Sequence, residues 1–187
     1  MAIVETFTYH RPSTSVDFPY DALSSMFDAD VKPKLQSYID SGAYVRNATT
    51  SDDGLTQSKI ETYADVATYS AVRNIIDAGA YKIAFIQKTT DNGIAFVSSS
   101  LTGIDGKFTV TTTYSYPEAF DKTEFVNNVF SQTQKLKETH VADNNDTIVV
   151  HEYDNADDYA ANRYMDANVL GSLLSAGGTK TVQFELV

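Results

Sequence analysis

Three histidines are the side chains of this sequence best suited to move a proton or to hold a metal ion. They are His10, His140 and His151, and a neutral imidazole can act as a general base or as a metal ligand. No two of them have the H-x-x-x-H spacing of a zinc site, and the chain has no cysteine, so no metal site is predicted. His10 and His151 are kept as candidates for ligand binding, because both fall in sequence that is predicted to form strands.

Two acidic runs have the composition of a calcium site but not its spacing. Residues 143–146 and 154–158 are rich in aspartate, yet they lack the fixed ligand positions and the distant glutamate of an EF-hand loop. They indicate a turn and the start of a helix instead. The sequence also contains no glycine-rich phosphate loop and no G-x-S-x-G motif. Motifs therefore identify no catalytic residue, and no cofactor is predicted.

The charge balance disfavours two classes of partner. The chain of 187 residues has a formal net charge of -11 and no cluster of lysine and arginine, so neither nucleic acid nor an anionic membrane is expected to bind. No apolar run is long enough to cross a bilayer, and the first residues do not resemble a secretory signal. These features predict a soluble, cytoplasmic protein, and they leave a homo-oligomer open.

Three short segments recur in the same order, which indicates a duplicated unit. The first pair reads T-x-T-Y-x-x-P at 6–12 and at 111–117, in sequence with the alternation of a strand. The second pair has two tyrosines and an arginine at one constant spacing, and consists of Tyr63, Tyr69 and Arg73 against Tyr153, Tyr159 and Arg163. The third pair is a glycine followed by apolar alternation, and consists of Gly79, Ile83 and Phe85 against Gly178, Val182 and Phe184. For the two recurring arginines, a solvated or ion-paired role is expected.

Hydrophobic periodicity predicts the order β-α-β-β-α-β in each half of the chain. The expected elements of the first half are strands at 2–10, 43–50, 55–63 and 81–88, helices at 20–41 and 66–78, and a further strand at 94–99. Those of the second half are strands at 107–116, 138–142, 147–153 and 179–187, with helices at 121–138 and 156–170. The predicted fold class is therefore α+β. Two tandem ferredoxin-like units would span residues 1–100 and 107–187, with a linker at 101–106.

The second half resembles a known group of proteins. A strand, a turn and a strand precede the pattern E-Y-x-x-x-x-x-Y, which is formed by Glu152, Tyr153 and Tyr159. This arrangement is similar to the dimeric α+β barrel superfamily, which includes antibiotic-biosynthesis monooxygenase-like domains and uncharacterised marine metagenome barrel proteins. The resemblance implies that the two units join their sheets around a cavity within one chain. The chain has no tryptophan, a residue that monooxygenase-like members often carry after the strand-end glutamate, so the likeness is one of fold rather than of reaction.

Strand alternation predicts which face of each sheet meets the helices. Ile3, Phe7 and Tyr9 would pack beneath the helices, with Glu5 as an exception among apolar neighbours, and Ile60 would do the same on the third strand. The opposite faces are polar, and in a barrel they would line the interior. The predicted ligand-cavity residues on those faces are Thr8, His10, Glu61, Thr113, His151 and Tyr153. Two alternatives stay open, namely that this face meets solvent or that it pairs with another subunit.

Two functions from different classes fit these observations. The first is binding of a small molecule in a polar cavity, with cofactor-free oxygenase-like chemistry as an extension that the resemblance implies. The second is a non-enzymatic structural or assembly protein of a viral or accessory kind. An enclosed pocket would favour the first, and a filled or open barrel with a large apolar interface would favour the second.

Overall fold

Two four-stranded antiparallel sheets, one from each half of the chain, form the framework. The computed structural model describes residues 1–131, 136–141, 146–163 and 167–187. The first sheet contains β1 (Ile3–His10), β2 (Tyr44–Thr50), β3 (Thr56–Tyr63) and β4 (Ala95–Thr102), and the second contains β5 (Phe108–Ser115), β6 (Leu136–Val141), β7 (Thr147–Tyr153) and β8 (Thr179–Leu186). Their strand orders are β2-β3-β1-β4 and β6-β7-β5-β8. Both orders are that of the ferredoxin-like unit, and the α+β class is confirmed.

The helices lie between the strands in the same sequence positions in both halves. The first half has α1 (Pro19–Ala22), α2 (Ser24–Met26), a π-helical turn at Phe27–Val31, α3 (Lys32–Asp40), α4 (Val66–Ile76) and α5 (Gly79–Asp91), and the second has α6 (Lys122–Ser131), α7 (Ala156–Asn162) and α8 (Ala167–Ser175). The expected helix at 20–41 is thus divided. Pro33 lies in the first turn of α3, where the missing N–H has no partner to lose.

The predicted strand at 81–88 is wrong, because this segment is the middle of helix α5. Tyr81, Phe85 and Ile86 are its buried residues. Tyr81 and Phe85 are four residues apart and share one face of the helix, whereas the burial of the adjacent Phe85 and Ile86 does not fit the alternation of a half-buried strand. Gly93, with φ of 61°, allows the chain to leave the helix and enter β4. The third repeated pair therefore compared a helix with the strand β8, whereas β4 is the strand that occupies the equivalent place.

Two other helix predictions were too long. The predicted helix at 121–138 ends at Ser131 in α6, and β6 begins at Leu136. The segment at 156–170 contains the whole of α7 and the start of α8 rather than one helix. Side-chain caps begin α4 and α7, since the side chain of Asp65 accepts from the N–H of Thr68 and that of Asn155 from the N–H of Asp158.

Helices from each half pack against the edge strand of the other half. Helix α4 lies against β8, α7 lies against β4, and α5 contacts α8. The side-chain amide of Asn74 donates to the carbonyl of Val182 at 2.9 Å and accepts from its N–H at 2.7 Å, and Ser99 Oγ donates to the carbonyl of Ala160 at 3.4 Å. One hydrophobic cluster consequently includes buried residues of both sheets. No ladder of hydrogen bonds joins the two sheets in the described part of the chain, so helices rather than strands connect them.

The register shows that the predicted assignment of faces was wrong for the third strands. Phe7 pairs with Lys59, Phe108 with Tyr153 and Val110 with His151, and directly opposed residues of an antiparallel pair point to the same side. We call this side the inner face. In the first sheet it contains Ile3, Glu5, Phe7 and Tyr9 with Gln57, Lys59, Glu61 and Tyr63. In the second it contains Phe108, Val110, Thr112 and Tyr114 with Thr147, Val149, His151 and Tyr153.

Ile60 lies on the opposite, outer face and is half-buried. Along β1 the residues of this outer face are half-buried or exposed as well. In the first sheet the helix-covered inner face thus carries both the apolar residues and the buried charged residues, whereas Glu61 was predicted on the opposite face.

Candidate functional site

Charged side chains occupy the centre of the first sheet's inner face. Glu5 and Glu61 are opposite each other on β1 and β3, and both are 0% exposed, while Lys59 is buried next to them. A carboxylate that is removed from water strongly destabilises the fold unless cations and hydrogen bonds compensate. The surroundings of the two glutamates therefore have to supply both.

Two arginines, one from each half, neutralise the glutamates. Arg73 of α4 places Nη1 2.9 Å from Oε2 of Glu61 and 3.8 Å from Oε2 of Glu5. Arg163, the residue that ends α7, forms an ion pair with Oε1 of Glu5. These are the two arginines that recur in the sequence, and both turn out to be ion-paired. The Arg163–Glu5 pair links the second half to the first sheet.

Tyrosine hydroxyls satisfy the remaining carboxylate oxygens. Tyr44 donates to Glu61 Oε1 at 2.7 Å, Tyr63 donates to Glu61 Oε2 at 3.0 Å, and Tyr69 donates to Glu5 Oε1 at 2.9 Å. Burial raises the pKa of all three phenols, and the negative charge of the carboxylate that each one bonds raises it further. The phenols are therefore protonated donors at neutral pH.

Burial and charged neighbours together shift the pKa of Glu61 and the pKa of Lys59. Burial alone would raise the pKa of Glu61, but the charges of Lys59 and Arg73 outweigh it and lower this pKa to about 2. Burial lowers the pKa of Lys59 to about 8, against the opposing effect of Glu61, whose Oε2 is 3.4 Å from the ammonium nitrogen. Glu61 is consequently ionised throughout the physiological range.

A cavity of about 140 Å³ adjoins this cluster and is lined by residues of both halves; we call it the central cavity. Its aromatic and aliphatic wall consists mainly of Phe7, Tyr9, Tyr69, Ile76, Tyr81, Phe85, Tyr114, Phe125, Tyr159, Leu170, Val182 and Phe184. Its charged wall consists of the cations Lys59, Arg73, Lys82, Arg163 and Lys180 and the anions Glu5 and Asp77. Cations thus outnumber anions on the wall, in a chain whose formal net charge is -11.

The ring of Phe7 lies among three of these cations. The ammonium nitrogen of Lys59 is 4.9 Å from the ring centroid, and the guanidinium carbons of Arg73 and Arg163 are 5.4 Å and 4.9 Å from it. The negative potential of an aromatic face attracts cations at such distances. Phe7 therefore helps to hold the positive charges together on one side of the cavity.

Asp77 pairs with two cations of the wall. Its Oδ2 is taken by Arg73, and its Oδ1 lies 2.7 Å from the nitrogen of Lys82. Burial opposes ionisation of Asp77, but the charges of Arg73, Lys82 and Lys180 outweigh it and lower the pKa of this carboxyl. Lys180 shares the inner face with Tyr114 through the β5–β8 register, and within the described residues it forms no ion pair with a carboxylate.

The six predicted ligand-cavity residues are not brought together. Glu61, His151 and Tyr153 are buried on inner faces, whereas Thr8, His10 and Thr113 lie on outer faces, with His10 exposed. None of the six lines the central cavity, although Glu61 is bonded to Arg73, which does. The prediction assigned residues of β3 and β7 to the wrong faces. The alternation within each strand was right, but the set of residues expected to point away from the helices is the set that shares the inner face with β1 and β5. A ligand contact by these six residues stays a prediction.

Three residues of this set have environments that explain their placement. His10 Nδ1 lies 3.2 Å from Oγ1 of Thr56, and Thr8 Oγ1 lies 3.1 Å from Oγ of Ser58, so both belong to polar pairs on the outer face. Burial, with a smaller effect of the positive charge of Lys180, lowers the pKa of His151 to about 4. His151 is therefore neutral at physiological pH, and its Nε2 has no hydrogen-bond partner among the described residues.

The sequence contained two signals for the residues that were missed. Glu5 interrupts an apolar alternation, which is unusual for a side chain that faces a core. The recurrence of Arg73 and Arg163 at equivalent helix positions supplied the cations that such a glutamate needs. Asp77 and Lys180 carried no comparable signal, because their roles depend on how α4 packs against β8.

The part of the chain that the structure describes also lacks two other features. No cluster of three or more histidine, aspartate or glutamate side chains with a metal-binding arrangement occurs among the described residues. None of the helices in this part of the chain is long and apolar enough to cross a membrane.

Comparisons with known proteins identify no family. No family model matches the chain, and no curated protein matches it. Among solved structures, a candidate monooxygenase from Lactobacillus acidophilus is 9% identical with a TM-score of 0.31, and covers 100% of this chain and 94% of its own. A candidate transcriptional repressor of the glycine cleavage system is 9% identical with a TM-score of 0.26 over 100% and 99% of the two chains. A mutant chlorite dismutase from Candidatus Nitrospira defluvii is 10% identical with a TM-score of 0.27 over 97% and 90%. Similarity at this level assigns neither a family nor an activity to this chain.

Proposed function

We propose that this protein binds a small organic anion in the central cavity. The observation that carries the proposal is the charge of the wall, where five cations face two anions. Glu61 behind the wall adds a third anion, which still leaves an excess of cations, and Lys180 has no carboxylate partner among the described residues. Like charges that are gathered in a poorly solvated space repel one another, and an anionic ligand would relieve that repulsion. The chain as a whole has a negative net charge, so a general excess of basic residues does not explain the cations of the cavity wall.

The volume of the cavity and its uncharged lining restrict the kind of ligand that can bind. A cavity of roughly 150 Å³ accommodates one benzene molecule, so 140 Å³ suits a ligand of similar size. Aromatic rings such as Tyr9, Phe85 and Phe184 offer apolar contact to the body of the ligand, while the cations fix its charged end. A small carboxylate with a short apolar or planar body meets both conditions.

The proposal includes an origin for the cavity. In it, the two halves are tandem copies of one ferredoxin-like unit that enclose the ligand between them, as the units of an α+β barrel do. Equal strand orders support this. So do the edge-on contacts of Tyr63 with Tyr69 at 4.8 Å and of Tyr153 with Tyr159 at 5.0 Å. The halves are joined here through helices and the Arg163–Glu5 ion pair, which takes the place of a continuous barrel wall.

A matched pair of probes tests the proposed function. Benzoate and benzamide have nearly the same shape, but only benzoate is an anion. At ten times its dissociation constant a ligand of the folded state adds about 1.4 kcal/mol, or about 3–6 °C in melting temperature for a chain of this size. Benzoate is expected to produce such a rise at pH 7, and benzamide is expected to produce little. Equal effects of the two probes, or no effect of a series of small carboxylates that includes benzoate and propionate, would contradict anion binding.

A further inference from the structure

One of the three lysines that line the central cavity differs from the others in its partners. Lys59 lies 3.4 Å from Glu61, and Lys82 lies 2.7 Å from Asp77. Lys180 forms no ion pair with a carboxylate among the described residues, whereas Asp77, which lines the same cavity, is paired with Arg73 and Lys82. Lys180 thus lacks the direct contact with a carboxylate that stabilises the charged form of Lys59 and of Lys82.

The surroundings of Lys180 favour the neutral amine further. The side chain is half-buried on the inner face of β8, in a wall that also contains Lys82, Arg73 and Arg163. Burial lowers the pKa of Lys180 to about 8, with Asp77 acting in the opposite direction and the nearby cations adding to the decrease. Burial and a neighbouring cation are the two means by which proteins activate a lysine as a nucleophile.

We propose that Lys180 forms an imine with the carbonyl group of a small 2-oxo acid bound in the central cavity. The inference rests on the proposed function, since it is the carboxylate of the 2-oxo acid that the cationic wall would hold. The guanidinium groups of Arg73 and Arg163 cannot lose their protons in a protein, so they keep the wall positive when Lys180 is neutral. One wall thus combines fixed cations for the carboxylate with a releasable amine for the carbonyl.

The step balances without an oxidant or a reductant. The lone pair of the Lys180 nitrogen attacks the carbonyl carbon, a carbon–nitrogen bond forms, and the carbonyl electron pair moves to oxygen. Proton transfer from nitrogen to oxygen gives a carbinolamine. Loss of its hydroxyl group as water, with a second proton from the nitrogen or from solvent, leaves the imine. The ligand carbon keeps its oxidation state, and water is the only product released.

Reductive trapping tests this step on the unaltered protein. The chain is incubated at pH 7.5 with pyruvate and sodium cyanoborohydride, and the site of the reduced adduct is determined by peptide mass spectrometry. We expect the adduct on Lys180 to form at least about tenfold faster than on the exposed Lys34, because Lys34 lies outside the cavity that would hold pyruvate next to the amine. The rate at Lys180 should increase from pH 6.5 to 8.5, and an excess of benzoate should reduce it.

Two variants and one comparison complete the test. Lys180→Arg keeps the positive charge and should lose the adduct, whereas Lys34→Arg should retain it, with both melting curves recorded to show that the variants fold. If benzoate stabilises the protein but pyruvate labels Lys180 no faster than Lys34, the imine is refuted and anion binding stands. If benzoate has no effect and no adduct forms on Lys180, both proposals fail.

Discussion

The two sheets have the same strand order and the same register between their two central strands, but their inner faces differ in chemistry. The pair Glu5–Glu61 in the first sheet corresponds to Val110–His151 in the second. Glu61 lies two residues before Tyr63 on β3, and His151 lies two residues before Tyr153 on β7. Lys59, opposite Phe7, corresponds in the same way to Val149, opposite Thr112. The ferredoxin-like sheet therefore forms with an apolar centre as well as with a charged one.

This difference indicates that the charges of the first sheet are not required by the fold. Buried ion networks often contribute no more stability than well-packed apolar residues of the same volume would. Moreover, Arg73 and Arg163 occupy equivalent helix positions, yet both pair with glutamates of the first sheet. The asymmetry places the cations on one side of the central cavity, which is the property on which the proposed function depends.

The largest expected loss of stability comes from replacing Glu5 of the first sheet by valine, the residue at the equivalent position of the second sheet. Glu5→Val introduces the side chain found at Val110, but it leaves Arg163 and the hydroxyl of Tyr69 without their buried partner. Breaking a buried pair in this way destabilises a protein by about 3–5 kcal/mol. Urea unfolding measures the loss, and the double variant Glu5→Val with Arg163→Met should recover part of it. A loss below about 1 kcal/mol would show that Glu5 is not held as described.

Acid titration should distinguish the contribution of Glu61 to stability from that of His151, which occupies the equivalent position in the second sheet. The pKa of His151 is about 4 in the fold against an ordinary 6.5. The unfolded chain is therefore protonated first, and stability decreases as the pH falls from 6.5 to 4. The pKa of Glu61 is about 2 against 4.5, so its contribution, on the order of 3 kcal/mol, is complete above pH 4.5 and is lost as the pH falls toward 2.

Unfolding free energies from pH 7 to 3 should thus decrease in two stages. The variant His151→Gln should lack the upper stage and keep the lower one. A wild-type profile that stays flat between pH 6.5 and 4.5 would contradict the buried, neutral state of His151.

A smaller loss of stability is expected where a side chain of one half bonds to the backbone of the other half. Asn74→Ala removes both hydrogen bonds to Val182 of β8, and the loss should be about 1–3 kcal/mol because the edge of β8 beneath α4 is left partly unsatisfied. Asn92→Ala is the matched control, since among the described residues the Asn92 amide bonds only to the carbonyl of Lys88 in the preceding helix. Equal losses in the two variants would mean that Asn74 does not connect the halves.

The sequence predicted the parts of the fold that depend on local pattern. The T-x-T-Y-x-x-P repeat placed Tyr9 and Tyr114 at equivalent positions of β1 and β5. Segment 81–88 was misread because its apolar residues fit both periods over a few positions.

The candidate site was harder to predict, because it depends on register. Whether Glu61 faces Glu5 or lies on the opposite side is decided by the pairing of β1 with β3, and one strand's alternation does not determine that. The position of Lys180 depends on α4 of one half packing against β8 of the other, which local sequence does not encode.

Calorimetric titration of benzoate into the wild type and Lys180→Met tests the central claim most directly. At pH 7 Lys180 is mostly protonated and adds to the positive wall, so its replacement by an uncharged side chain of similar length should weaken binding at least about tenfold, or about 1.4 kcal/mol. The exposed Lys34→Met variant should bind benzoate as the wild type does. Equal dissociation constants for the wild type and Lys180→Met would contradict an anion site in the central cavity.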